Sequence, residues 1–148
     1  MMKKDHNDLT YFIMDRDHKM LGGTLNKTLS GHWTWSTWSK SIKVSDSIKG
    51  VEAKNRRGHT VGVLTGSIIN GVFLSYGTFV SRRYRGQRVA SRLWALLMST
   101  FRPREVRSCA VSDKGWTLLA KLRDQYKDVV WDINDDGERP LRLLRRVA

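Results

Sequence analysis

What this chain lacks narrows it first. A single cysteine, Cys109, in 148 residues excludes an internal disulfide and any cysteine-rich zinc site. No apolar run approaches the ~20 residues that a membrane-spanning helix needs. The opening residues, Met1 to Asp8, are polar and hold no apolar core of a secretory signal. There is no repeat, linker or low-complexity segment. Acids are scarce, with 14 Asp and Glu against 27 Lys and Arg, which gives a formal net charge of +13. What is present is a hydrophobic content of 40%, enough for a folded core and too much for a disordered chain. The expectation is one domain over residues 1–148, soluble and cytoplasmic.

The charge is unevenly placed. From Arg82 to Arg107 there are eight arginines against one acid, Glu105. Such a field attracts polyanions, nucleic acid above all. Arginine also favours planar, bidentate contacts to phosphate.

Periodicity and turn residues set out the elements. Leu9 to Met14 reads as a first strand, Asp15 to His18 as a turn with His18 solvated, and Lys19 to Leu21 as a short returning strand. Between Leu25 and Asp46 stand Trp33, Trp35 and Trp38. Trp33 and Trp35 share a face if extended, Trp35 and Trp38 if helical. Tryptophans this dense serve either a core or subunit contact, or a stacking surface for bases or a flat acceptor. Gly50 to Lys54 is a strand, turned by Asn55-Arg56-Arg57-Gly58 into a second one, His59 to Ile69, with His59 at its edge. Asn70-Gly71 is a hairpin signal, so Val72 to Val80 should pair antiparallel with that second strand. An apolar helical pattern follows from Val89 and stops at Pro103. Val106 to Val111 reads as a buried strand with Cys109 a small core residue. A helix over Lys114 to Lys127 is capped by Ser112 or Asp113. Val129 to Ile133 is a strand, Asp135 to Glu138 a turn, and Leu141 to Val147 a last strand.

A strand, a short basic turn and a helix in that order make an anion site. The helix N-terminus carries unpaired N–H groups, and Gly86 lets a phosphate approach the backbone. The turn resembles the pyrophosphate-binding motif of the GNAT N-acetyltransferase superfamily, roughly Val-x-Pro-x-Tyr-Arg-Gly-x-Gly-(Ile/Val)-(Gly/Ala)-x-x-Leu. Val80, Tyr84, Arg85, Gly86, Val89, Ala90 and Leu93 match it. Arg82 stands where proline is usual and Arg88 where the second glycine is usual, so the motif is that of a divergent member. The resemblance covers roughly Val61 to the end.

The resemblance implies an α/β (α+β) fold: a mixed, mostly antiparallel central sheet flanked by helices, in the order β-α-α-β-β-β-α-β-α-β-β. It implies acetyl-CoA or another acyl-CoA and no metal. Phe79, Val80, Arg85, Gly86, Gln87, Arg88, Val89, Ala90 and Ser91 would hold the coenzyme, with Arg88 either crowding its pyrophosphate or gripping it. Two helices after the first strand would wall the acceptor pocket and bring Trp33, Trp35 and Trp38 to it or its rim.

Acyl transfer from a thioester needs a base for the acceptor, an acid for the leaving thiolate and a donor to the oxyanion. The family often carries a base on or near its fourth strand, yet Val72 to Val80 holds no Asp or Glu. Its acid is often a tyrosine in a pattern like Asn-x-x-Ala-x-x-Leu-Tyr. In the corresponding stretch Asp113 to Ala120, Leu119 matches and Ala120 occupies the tyrosine position. The candidates left are Asp113, Tyr126 and Tyr76, of which Asp113 also suits a helix cap and Tyr126 a core. The charge points the acceptor toward nucleic acid, a DNA base or an aminoacyl-tRNA amine, met by Arg56, Arg57, Arg82 and Arg83, in a bacterial or phage setting. The alternative is a catalytically inactive module that binds nucleic acid or inhibits a protein partner. A dimer is left open.

Overall fold

A computed structural model describes residues 3–4, 8–15, 18, 21, 24–27, 33–36, 46–110 and 113–135. Nine strands lie among them: β1 (Lys3–Lys4), β2 (Thr10–Ile13), β3 (Thr24–Lys27), β4 (Trp33–Ser36), β5 (Ile48–Lys54), β6 (Thr60–Ile69), β7 (Val72–Val80), β8 (Glu105–Ala110) and β9 (Val130–Asp135). Helix α1 (Val89–Phe101) joins β7 to β8, and α2 (Asp113–Gln125) joins β8 to β9. One sheet has the order β1-β2-β5-β6-β7-β8-β9. It is antiparallel from β1 to β7, and β8 and β9 continue it in parallel.

Local chemistry sets these elements. Asn70 (φ 52°) and Gly71 (φ 78°) both sit in the left-handed region, as a two-residue hairpin turn with the twist of its strands requires. Helix α1 buries Val89, Leu93, Trp94, Leu96, Leu97 and Met98, a helical stripe. It ends where Arg102 turns left-handed (φ 46°), its N–H bonded to the Met98 carbonyl, and Pro103 forbids continuation. Successive parallel strands joined by right-handed crossovers put both helices on one face of the sheet. One core fills that face, from Leu9, Tyr11, Val51 and Ala53 through Leu93 and Trp94 to Leu119 and Leu122. Trp94 is its keystone: edge-on to Phe73 with centroids 5.7 Å apart, it donates Nε1–H to Thr78 Oγ1 at 2.9 Å. On the opposite face Met14, Leu21, Ile48 and Val63 form a smaller cluster, with Tyr76 and Phe79 against it.

Where the resemblance implies two helices, Thr24–Lys27 and Trp33–Ser36 pair antiparallel, Leu25 opposite Trp35 and Lys27 opposite Trp33, as a separate ribbon whose β3 lies against β7. The sequence Trp-Thr-Trp-Ser alternates aromatic and small hydroxyl residues, which favours a pleated strand over a helix. The short returning strand is also absent at its described end, because Leu21 lies in a turn closed by its N–H on the His18 carbonyl. Trp38, Ser112, the turn beyond Asp135 and the final strand Leu141 to Val147 lie outside the described residues. Among the described residues no helix is long and apolar enough to cross a membrane.

Gly66 shows how tightly β6 meets β7. A Cβ there would strike the Leu74 carbonyl oxygen and the Phe73 ring, one of them backbone that cannot move aside. Gly66→Ala should cost about 3 kcal/mol from overpacking. Gly58→Ala, in open space, should cost about 1 kcal/mol for its positive φ alone. Thermal melts of the two variants check the order.

Candidate active site

Three features meet at the end of the sheet where β7 and β8 finish. The first is a bulge. Thr65 faces Gly77 and Gly66 faces Ser75, so Tyr76 is an extra residue on β7, and Gly77 beside it takes φ 144°. The second is a parting of strands. β7 and β8 pair only over Val72–Leu74 and Glu105–Arg107, whereas β7 runs on to Val80 and β8 to Ala110. Among the described residues no strand pairs with the outer edge of β7 past Leu74. Ser75 sits at the point of parting, and its buried Oγ has no hydrogen-bond partner.

The third is the turn into α1. After β7 the Ser81 N–H bonds back to the Val61 carbonyl, and a short 3-10 turn covers Arg82–Tyr84. Arg85 is spent on the fold: its Nε donates to the Val80 carbonyl at 2.8 Å, and its guanidinium lies 5.7 Å over the Phe79 ring. Gln87 Nε2 donates to the Arg83 carbonyl at 3.2 Å, which closes the loop. Gly86 has φ 78° and open space beside it. Arg88 takes the N-cap position in the left-handed region (φ 63°), and no side chain caps the first amides of α1. A shallow groove of about 310 Å³ continues from this N-terminus between the helices, lined by Ser91, Asp113, Lys114, Thr117, Leu118 and Lys121.

The residues singled out in the sequence fall into separate places. Phe79 to Ser91 form one continuous strand, turn and helix start. Arg56 and Arg57 are exposed in the β5–β6 turn, at the same end of the sheet as the exposed Arg82 and Arg83. Arg56 lies 3.7 Å from Asp8. Of the three acid–base candidates only Tyr76 is at the bulge, on the face away from the helices. Asp113 opens α2 in the groove. Tyr126 packs into the helix-side core beside Trp131, and burial raises its phenol above the usual value. Backbone pairing places Trp33 and Trp35 in the ribbon beside β7.

The sequence reading missed Glu52 and misjudged His18. Glu52 lies in mid-strand on β5, 3% exposed, and His18 Nε2 is 2.7 Å from its Oε2. Thr60 Oγ1 donates to the other oxygen at 2.8 Å. His18 is therefore no solvated turn residue. Burial pushes the Glu52 carboxyl up, but hydrogen bonds from His18 and Thr60 and the charges of His18 and Lys54 outweigh it and hold the group below its ordinary value. The signal available in the sequence was a lone carboxylate inside Val51-Glu52-Ala53, between residues destined for a core.

Two outcomes follow. Arg88 holds a conformation that costs a non-glycine residue ~1–2 kcal/mol, so Arg88→Gly should raise stability by about 1 kcal/mol in denaturant titration. A carboxyl held low binds its proton less readily when folded, so the Glu52 pair stabilises the protein above the ordinary value of 4.5 and ceases to as pH falls through the folded value. Glu52→Gln should lower stability by about 3 kcal/mol at pH 7, and the gap to the parent should close as pH falls below 4.5 and through the folded value. Melting temperatures across that range check it.

No family model matches the chain, and no curated protein matches it. Several solved structures resemble it. The ribosomal-protein-S18-alanine N-acetyltransferase of Escherichia coli is 12% identical, at a TM-score of 0.48, over 59% of this chain and 61% of that one. Nourseothricin acetyltransferase is 17% identical, at 0.40, over 64% and 66%. A GNAT-family acetyltransferase of Staphylococcus aureus is 20% identical, at 0.35, over 37% and 35%. The matches thus span from about a third to just under two thirds of those structures. The described residues form a mixed, mostly antiparallel α/β sheet with a bulged β7, a parting of β7 from β8 and a basic turn into α1.

Proposed function

We propose that this chain is an N-acyltransferase that moves an acetyl or other acyl group from acyl-CoA to an amine carried on, or bound to, nucleic acid. The observation that supports it most is the coincidence of a half-unpaired, bulged strand and an uncapped helix N-terminus at one end of one sheet.

The donor's chemistry fits both features. Amides from Gly86 to Ser91 would take the pyrophosphate, helped by the open space at Gly86 and the positive end of α1. The outer edge of β7 offers unpaired N–H and C=O groups to an extended amide-bearing arm, as a sheet edge does to an added strand. The orphaned Ser75 hydroxyl is a further donor there. Acyl-CoA supplies the acyl group activated as a thioester. The bulge on β7 would bring backbone N–H groups toward the developing oxyanion.

The acceptor follows from charge. Arg82, Arg83 and Arg88 are exposed beside that end, and none has a carboxylate partner among the described residues. Arg56 and Arg57 extend the same rim. One coenzyme does not call for so many guanidinium groups, whereas a phosphodiester chain does. A second reading, a module that grips nucleic acid without turnover, is favoured by the αL Arg88 where the family pattern has glycine.

Calorimetric titration with acetyl-CoA and with desulpho-CoA separates the two. Micromolar binding, lost in a folded Gly86→Asp variant whose carboxylate repels the pyrophosphate, supports the enzyme. Failure to bind at millimolar coenzyme leaves the module. In either case affinity for a single-stranded oligonucleotide should fall steeply with salt, and Arg82→Ala/Arg83→Ala should make that dependence shallower, by about one unit of slope for each phosphate no longer neutralised.

A further inference from the structure

The groove between α1 and α2 has a chemistry of its own. It has a volume of about 310 Å³ and is lined by Ser91 on α1 and by Asp113, Lys114, Thr117, Leu118 and Lys121 on α2. The last four stand at i, i+3, i+4 and i+7, so they form one stripe along the helix. Leu118 is half-buried and gives the stripe an apolar floor, while Lys114, Thr117 and Lys121 are exposed around it. Thr117 Oγ1 donates to the Asp113 carbonyl at 2.9 Å, so that hydroxyl proton is spent on the helix. Neither lysine has an ion-pair partner among the described residues.

Charge is graded along the groove. Among the described residues Asp113 is the only carboxylate in the lining, and it stands beside Lys114 at the β8 end. Lys121 comes eight residues later, about 12 Å along the helix axis. The near end is therefore close to neutral and the far end positive. A lysine ammonium is a compact point charge, unlike the planar forks of the arginines on the turn. It suits a phosphate monoester, which carries about −1.5 to −2 at pH 7. The volume lies at the lower end of small-ligand sites, which start at about 300 Å³, so the groove takes part of a large ligand rather than all of it.

Position says which part. The groove begins at Ser91, in the first turn of α1, next to the amides that would take the pyrophosphate. Beyond that pyrophosphate, acyl-CoA carries a ribose with a phosphate monoester on its 3′ oxygen. With the acyl arm along the edge of β7, the nucleotide end is left the groove between the helices. We propose that this groove binds the 3′-phosphate, and that Lys121, with Lys114, makes the protein select the phosphorylated coenzyme over its dephospho form. This rests on the acyl-CoA reading above and names the part of the donor that is discriminated. No bond forms or breaks at the 3′-phosphate, so the lysines act on affinity alone.

Calorimetric titration of the full chain with CoA and with dephospho-CoA tests it. The parent should bind CoA about tenfold tighter, the worth of one charge-assisted contact. Lys121→Gln should weaken CoA about tenfold and dephospho-CoA less than about twofold, a difference that general damage to the fold would not produce. Lys114→Gln, beside Asp113, should do less, and Lys121→Arg, which keeps the charge, should keep the preference. Equal affinities for the two coenzymes in the parent, or equal losses of both in Lys121→Gln, would overturn the assignment and leave the acyl-CoA reading standing. So would a Lys121→Gln protein that binds a single-stranded oligonucleotide more weakly with its CoA affinity unchanged, since the groove would then belong to the acceptor. Binding of neither coenzyme at millimolar concentration would overturn both.

Discussion

A β-strand has two edges, and every buried N–H and C=O along them needs a partner. β7 keeps one edge on β6 for its whole length and gives up the other after three residues. The candidate site depends on that surrender. At the hairpin end the strands are stapled together, with the Arg104 N–H on the Gly71 carbonyl and the Val130 N–H on the Arg104 carbonyl. Beyond Leu74 nothing draws β8 in, and β8 turns its full pairing to β9. Trp94 holds β7 from below through Thr78, so the strand stays extended where β8 no longer pairs with it.

Charge at this end is divided between two tasks. Arg85 is committed to the turn, while Arg82, Arg83 and Arg88 reach solvent around it. Beneath them the helix-side core is apolar, and the opposite face holds the buried Glu52 carboxylate with the His18 imidazole. Exposed guanidinium groups and uncapped amides thus gather at one end of the sheet, and the buried carboxylate lies one or two strands away.

Local signals carried much of this architecture into the sequence. Asn70-Gly71 specified its hairpin, Phe101-Arg102-Pro103 its helix end, and the basic turn its place between strand and helix. These rest on neighbouring residues, so they are legible one window at a time. The bulge left a faint trace, Gly77 in mid-strand, a position where glycine often marks one. The ribbon of β3 and β4 went unread because the family resemblance implied helices there, although Trp-Thr-Trp-Ser alternates as a strand does. His18 and Glu52 stand 34 positions apart, and their pairing depends on how β2 and β5 register, which no window contains. Tyr126 and Asp113 are likewise placed by tertiary packing, Tyr126 beside Trp131 and Asp113 at the start of α2 in the groove, which sequence spacing alone does not give.

The open edge of β7 has a second consequence. An unpaired strand edge is a template for another copy of the same strand, and two molecules meeting there could zip together into a growing sheet. The hazard is greatest during synthesis, when β5, β6 and β7 have closed through their short turns but β8 has not emerged. The arginines crowd around that edge on the turns at its end, and the chain as a whole carries +13. Like charge keeps two such edges apart at low ionic strength. The charge that crowds this end of the sheet thus also works against the protein polymerising with itself.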